Sequence, residues 1–154
     1  MTFETARAWL DRHAPDLAVV DQGCSTATVA EAAAALGVEP GLIAKTLTLR
    51  LGERIVLLVA RGGARLDNAR CKAVFGARPR MLDAAETLRL TGHPVGGVCP
   101  FGLATPLPVY LDAGLRAFDP VYPAAGSLTS SVRVSPERLF ALVGTDWVEA
   151  CRLP

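Results

Sequence analysis

The run Ile55-Val56-Leu57-Leu58-Val59-Ala60 constrains this chain more than any other feature. Six apolar residues without polar alternation read as a strand that water reaches on neither face. Such a strand lies centrally in a sheet, with further layers packed on both sides. The stretch before it behaves differently. Over residues 44–51, Thr46, Thr48 and Arg50 alternate with Leu47, Leu49 and Leu51. Gly52-Glu53 between the two indicates a hairpin. A sheet built around that hairpin, with helices beside it, is an α/β architecture.

The helices mark their own starts. Residues 2–12 place Phe3, Ala6, Trp9 and Leu10 on one face, with Thr2 as N-cap. Thr28-Val29-Ala30-Glu31 and Asp83-Ala84-Ala85-Glu86 both match the capping box, in which the first side chain and the fourth satisfy orphan N–H groups. Asp67 caps a shorter helix, and Ser135-Pro136-Glu137 opens the last one. Gly37, Gly76, Gly92 and Gly144 stop these helices. Residues 40–43 read as one helical turn. Short strands are expected at 17–20, 80–82, 109–112, 118–122 and 147–148. Several are near enough in sequence for hairpins, so the sheet is expected to be mixed and largely antiparallel. No repeat or boundary divides residues 1–154, which read as one domain.

Charge and composition narrow the function. The formal net charge is +1, which excludes a strongly basic nucleic-acid coat and argues against DNA as a partner. The N-terminus lacks the basic-then-apolar pattern of a signal peptide, and no apolar run is long enough to span a bilayer. A cytoplasmic protein without membrane association is expected. Cys24, Cys71, Cys99 and Cys151 are scattered with no CxxC pair, so neither a metal site nor a redox motif is expected. His13 and His93 are not at metal-ligand spacing. GxSxG, HExxH and P-loop patterns are all missing.

What remains is a loop and a lysine. Residues 92–108 hold four glycines and four prolines, yet Val95, Val98, Phe101, Leu103 and Leu107 want burial. Neither helix nor regular strand runs through it. It reads either as a compact connection or as a rigid loop that brings main-chain N–H groups to a ligand. Lys45 and Lys72 are the only lysines. Lys45 shares a strand face with Leu47 and Leu49, so it either reaches a cavity mouth or anionic partner, or snorkels to solvent. Cys99, inside the loop, is a conceivable nucleophile, but no base is paired with it.

In order and spacing, several pieces resemble the YbaK/EbsC family, the prolyl-tRNA synthetase-associated editing domain. They are Ala32-Ala33-Ala34-Ala35-Leu36-Gly37-Val38, Ile43-Ala44-Lys45-Thr46-Leu47, Gly96-Gly97-Val98-Cys99-Pro100-Phe101-Gly102, Leu107-Pro108-Val109-Tyr110-Leu111-Asp112, Ala124-Ala125-Gly126-Ser127 and Ser135-Pro136-Glu137-Arg138-Leu139. The resemblance covers roughly residues 26–147 by pattern. It implies a mixed sheet curled into a partial barrel with flanking helices. It also implies hydrolysis of the ester that joins a wrong, small amino acid to a tRNA, often proline tRNA. The partners implied are the acceptor end of a mischarged tRNA and an aminoacyl-tRNA synthetase; no cofactor is implied. The family's functional lysine falls on Lys45, and its substrate-holding GxxxP loop on Gly96, Gly97, Val98, Cys99 and Pro100. Small residues including Thr26, Gly126 and Ser127 would wall the acyl pocket. Apart from the resemblance, Arg61, Arg65, Arg70, Lys72, Arg78 and Arg80 read either as a phosphate-binding face or as ordinary solvated surface. Two alternatives stand beside this enzyme: a non-catalytic module of the same fold that binds a tRNA end or a protein, and a hydrolase using Cys99.

Overall fold

The computed structural model describes residues 2–153, with side chains from Glu4 to Leu153. The expected roles of Thr2 and Phe3 therefore lie outside the described side chains. Helix α1 spans Thr2–His13 and strand β1 spans Val19–Asp21. Helix α2 follows at Val29–Leu36, then a 3₁₀ turn at Pro40–Leu42 and the hairpin β2 (Ile43–Leu51) and β3 (Arg54–Arg61). Next come β4 (Arg65–Leu66), α3 (Asn68–Phe75), β5 (Arg80–Met81) and α4 (Ala84–Thr91). After the Gly/Pro loop lie β6 (Val109–Asp112), β7 (Tyr122–Pro123), β8 (Ser130–Val132), α5 (Pro136–Val143), β9 (Asp146–Val148) and β10 (Cys151–Arg152).

The predicted caps are in place. Thr28 Oγ1 accepts from the Glu31 N–H at 3.1 Å, Asp67 from Arg70 at 3.0 Å, Asp83 from Glu86 at 2.8 Å and Ser135 from Arg138 at 3.1 Å. In the Thr28 box the Glu31 carboxylate accepts from the Thr28 hydroxyl at 3.1 Å. Gly144 ends α5 for a different reason from the one expected. Its backbone is extended, and a Cβ there would stand 2.3 Å from the Phe140 ring.

The main sheet is mixed and open. Its order is β5-β2-β3-β6-β9, with β7 also on β2. The β2–β3 and β2–β5 pairs are antiparallel, while β2–β7, β3–β6 and β6–β9 are parallel. Two small antiparallel pairs, β1–β8 and β4–β10, complete the strands. Residues 118–122 do not make the expected strand. Pro120 has no N–H to give a ladder, Val121 makes an isolated bridge to Val134, and the strand starts only at Tyr122, as β7.

Strand β3 is central and buried on both faces, as its sequence requires. Leu57 and Val59 join a core with Ala6, Leu10, Val109 and Phe101; Val56, Leu58 and Ala60 join a second core with Leu49, Cys71 and Phe75. Helix α2 packs Ala32 and Ala33 against Ile43 in a third, smaller cluster.

Candidate functional site

Strand β2 has a gap on its outer edge. Its first residues, Ile43 and Ala44, pair with β7, and Leu49 and Arg50 pair with β5. The residues between have no strand on that side. The Thr48 carbonyl accepts from the Leu82 N–H at 3.3 Å, while Leu57, opposite Thr48 in the hairpin, sends its own N–H away to Pro108. Outward-facing positions recur every second residue along an antiparallel pair. The N–H and C=O of Thr46 therefore also face the gap.

A cavity of about 300 Å³ opens at this gap. Residues 44–48 of β2 form one wall. Thr26, Ala27, Thr28 and Val29 at the start of α2 form another, and Val95, Gly96 and Val98 close over them. Leu82, Thr87 and Met81 stand at one end, with Tyr122, Ala124 and Ser131 at the other.

Lys45 lines this cavity from the strand face it shares with Leu47 and Leu49. It is half-buried, and its Nζ donates to the Gly62 carbonyl at 3.2 Å and to the Ala64 carbonyl. An ammonium carries three N–H donors, so one remains for a ligand. Burial pulls the Lys45 pKa below its ordinary value, the Arg65 charge adds to this, and Cys151 opposes it. The Gly62 acceptor is pressed firmly into place: a Cβ there would lie 2.1 Å from the Pro40 carbonyl oxygen.

The Gly/Pro loop meets two other loops above the cavity. Gly96 has φ +91°, and a Cβ on it would stand 2.9 Å from both the Ala27 Cβ and Leu128 Cδ2. Gly97 rests on the main chain of Ser127. Thr26 joins the same cluster, its N–H donating to the Leu128 carbonyl at 2.6 Å and its hydroxyl to the same oxygen at 3.2 Å. The Gly97 N–H is spent on the Pro94 carbonyl at 2.9 Å. No acceptor among the described residues meets the N–H of Gly96 or Val98.

Residues 24–142 match the model of the aminoacyl-tRNA editing domain. This chain belongs to the aminoacyl-tRNA editing domain family. The editing domain is 39% identical over 154 residues to the uncharacterized protein YwhH of Bacillus subtilis, covering 99% of this chain and 98% of that one. It is 30% identical over 90 residues to a proline–tRNA ligase of Bacillus cytotoxicus, where the match takes in 58% of this chain and 16% of the ligase. A crystal structure of a suggested trans-editing enzyme for prolyl tRNA synthetase superposes with a TM-score of 0.90 at 33% identity, over 98% of this chain and 97% of that one. The hypothetical protein APE2540 superposes with a TM-score of 0.88 at 30% identity, over 96% and 99% of the two chains.

Among the residues singled out from sequence, Lys45, Thr26, Gly96 and Val98 line the editing domain's cavity. Gly97, Cys99, Pro100, Gly126 and Ser127 do not line it. Ser127 spends its hydroxyl on Ser130, 2.6 Å away. Cys99 is fully buried in the core, 3.5 Å from His93 Nε2 and 3.6 Å from the Phe101 carbonyl. Burial pushes its thiol up to about 12. The thiol is enclosed and does not line the cavity, which argues against the cysteine-hydrolase alternative. His93 is also fully buried and has its Nε2 2.7 Å from the Phe101 carbonyl, so it braces the loop from beneath.

Two of the six basic residues have partners within the fold. Arg61 lies over the Phe118 ring, and Arg70 donates to the Cys151 carbonyl at 2.7 Å. Arg65, Lys72, Arg78 and Arg80 are exposed. A second cavity, about 380 Å³, shares Tyr122 and Ser131 with the first but has neither Lys45 nor the glycine loop in its wall.

Sequence reasoning missed Thr46 and Thr48. Their alternation with leucines gives them no role beyond a hairpin strand, yet Thr48 is only 4% exposed and both residues line the cavity. The helix and loops that cover them come from distant parts of the chain.

Proposed function

We propose that this editing domain hydrolyses the ester between a mismatched, small amino acid and the end of a tRNA, proline tRNA foremost. The observation that carries the reading is that Lys45 and Gly96 wall one small cavity in a chain of the editing family. The similarity to proline–tRNA ligases supports proline tRNA and a synthetase as partners.

The cavity suits an amino acid's side chain and α-carbon, and leaves the nucleotide outside. The free donor of Lys45 and the N–H groups of Gly96 and Val98 supply what an ester needs. They hold the carbonyl and stabilise the negative charge that builds on its oxygen when water adds. Close packing of Gly62 on Pro40 and of Gly96 on Ala27 and Leu128 favours a preformed geometry. Water adds to the carbonyl carbon, the bond to the ribose oxygen breaks, and that oxygen takes a proton from the attacking water. No cofactor enters this scheme, and positioning replaces a catalytic dyad.

The test is a panel of tRNAs bearing alanine, cysteine, serine, threonine or 2-aminobutyrate, followed for loss of the ester. Turnover of at least one, abolished in Lys45→Ala, is expected. No turnover of any would leave a module that binds a tRNA end or a partner protein.

A further inference from the structure

Two threonines of the cavity wall carry hydroxyl groups that lie covered just beneath its surface and that the fold leaves without partners. Thr46 Oγ1 and Thr48 Oγ1 are buried, and neither makes a hydrogen bond. Both residues line the cavity, and strand alternation puts their side chains on one face of β2. The other threonines at the start of α2 differ: Thr26 donates to the Leu128 carbonyl, and Thr28 is engaged with Glu31. Leaving a buried hydroxyl unpaired is costly, and valine would fill the same space without that cost. Two such hydroxyls side by side in a cavity wall point to a polar group supplied from outside.

From this we infer that Thr48, with Thr46 beside it, is a specificity-determining residue that favours an acyl group bearing a side-chain hydroxyl. The inference rests on the deacylase reading above. The α-amino group of any aminoacyl ester can be served by the Thr46 carbonyl, which faces the same gap. The threonine hydroxyls are then left to read the side chain. A hydroxyl both donates and accepts, so it can satisfy one threonine as donor and the other as acceptor. A change of χ1 rotamer brings either threonine oxygen toward the cavity space. An acyl group without a hydroxyl leaves both unpaired, and sites built around a substrate hydroxyl discriminate strongly against analogues that lack it.

The experiment compares esters that differ by one hydroxyl: serine against alanine, and threonine against 2-aminobutyrate, each on proline tRNA. For wild type, kcat/KM for the hydroxyl-bearing member exceeds that of its partner by about tenfold or more in at least one pair. In Thr48→Val the ratio collapses toward one, and in Thr48→Ser it is restored. Thermal unfolding of Thr48→Val shows a Tm at or above wild type, which a mere packing role for the hydroxyl would not give. Equal rates within both pairs, or a ratio untouched in both Thr46→Val and Thr48→Val, overturns the inference while leaving the deacylase intact. No turnover of any ester overturns the deacylase reading, and the inference falls with it.

Discussion

Gly97 sits with its α-carbon against the main chain of Ser127, so close that a Cβ would stand 2.8 Å from the Ser127 carbonyl carbon and oxygen. Two loops thirty residues apart thus lock together directly above the cavity. Neither main chain can yield as a flexible side chain would. Gly97→Ala forces them apart, with an expected loss of about 1–3 kcal/mol in stability and a larger loss in deacylation, because Gly96 moves with its neighbour. Urea unfolding and kcat/KM measured together check this. An alanine variant with wild-type values in both would show that the contact carries no function.

Cys99 gives the opposite expectation. Its side chain contributes packing beneath the loop and no chemistry. Cys99→Ala is predicted to keep deacylation close to wild type and to lose about 1–3 kcal/mol of stability from the core. Rates with saturating ester and a denaturation curve separate the two effects.

His93 makes stability depend on pH. Burial lowers its pKa below 6.5, and the hydrogen bond to the Phe101 carbonyl offsets this only in part. A group held neutral in the folded state takes up its proton more readily when unfolded. Stability is therefore fully present above the unfolded value, near 6.5, and falls as the pH drops below it. Denaturant unfolding at pH 7.5 and 5.5 is expected to show the loss at 5.5, reduced in His93→Gln.

Lys45 works in the other pH range. Its folded pKa lies below the ordinary 10.5, so its positive charge disappears earlier on the alkaline side than that of a free lysine. The enzyme-dependent rate, corrected for spontaneous ester loss, is expected to fall as pH rises through that depressed value. Stability moves the opposite way in the same window, because losing the charge relieves the cost of burying it.

The local features of this fold were legible because local chemistry produces them. Thr28, Asp67, Asp83 and Ser135 each cap the helix they precede, and the unbroken apolar run of β3 lies centrally between two cores. The Leu47–Leu49 face leaves Lys45 open between a cavity mouth and solvent, and the fold puts it on the cavity. The gap on the outer edge of β2 was not legible. It exists only because β5 and β7, both short and far along the chain, pair with opposite ends of β2 and stop short of Thr46. A period-two pattern shows which residues share a face, but not whether that face meets water or a cavity. The parallel pairing of β9 with β6 was hidden for a similar reason. Residues 147–148 read as an edge strand, but its direction depends on where α5 carries the chain.

The most direct measurement is kcat/KM for the preferred mischarged tRNA in wild type and Lys45→Ala, with Tm recorded for both. A fall of about a hundredfold or more with the fold retained is predicted, the scale expected when a preorganised donor is removed from a developing oxyanion. A folded Lys45→Ala variant that deacylates at the wild-type rate would contradict the account.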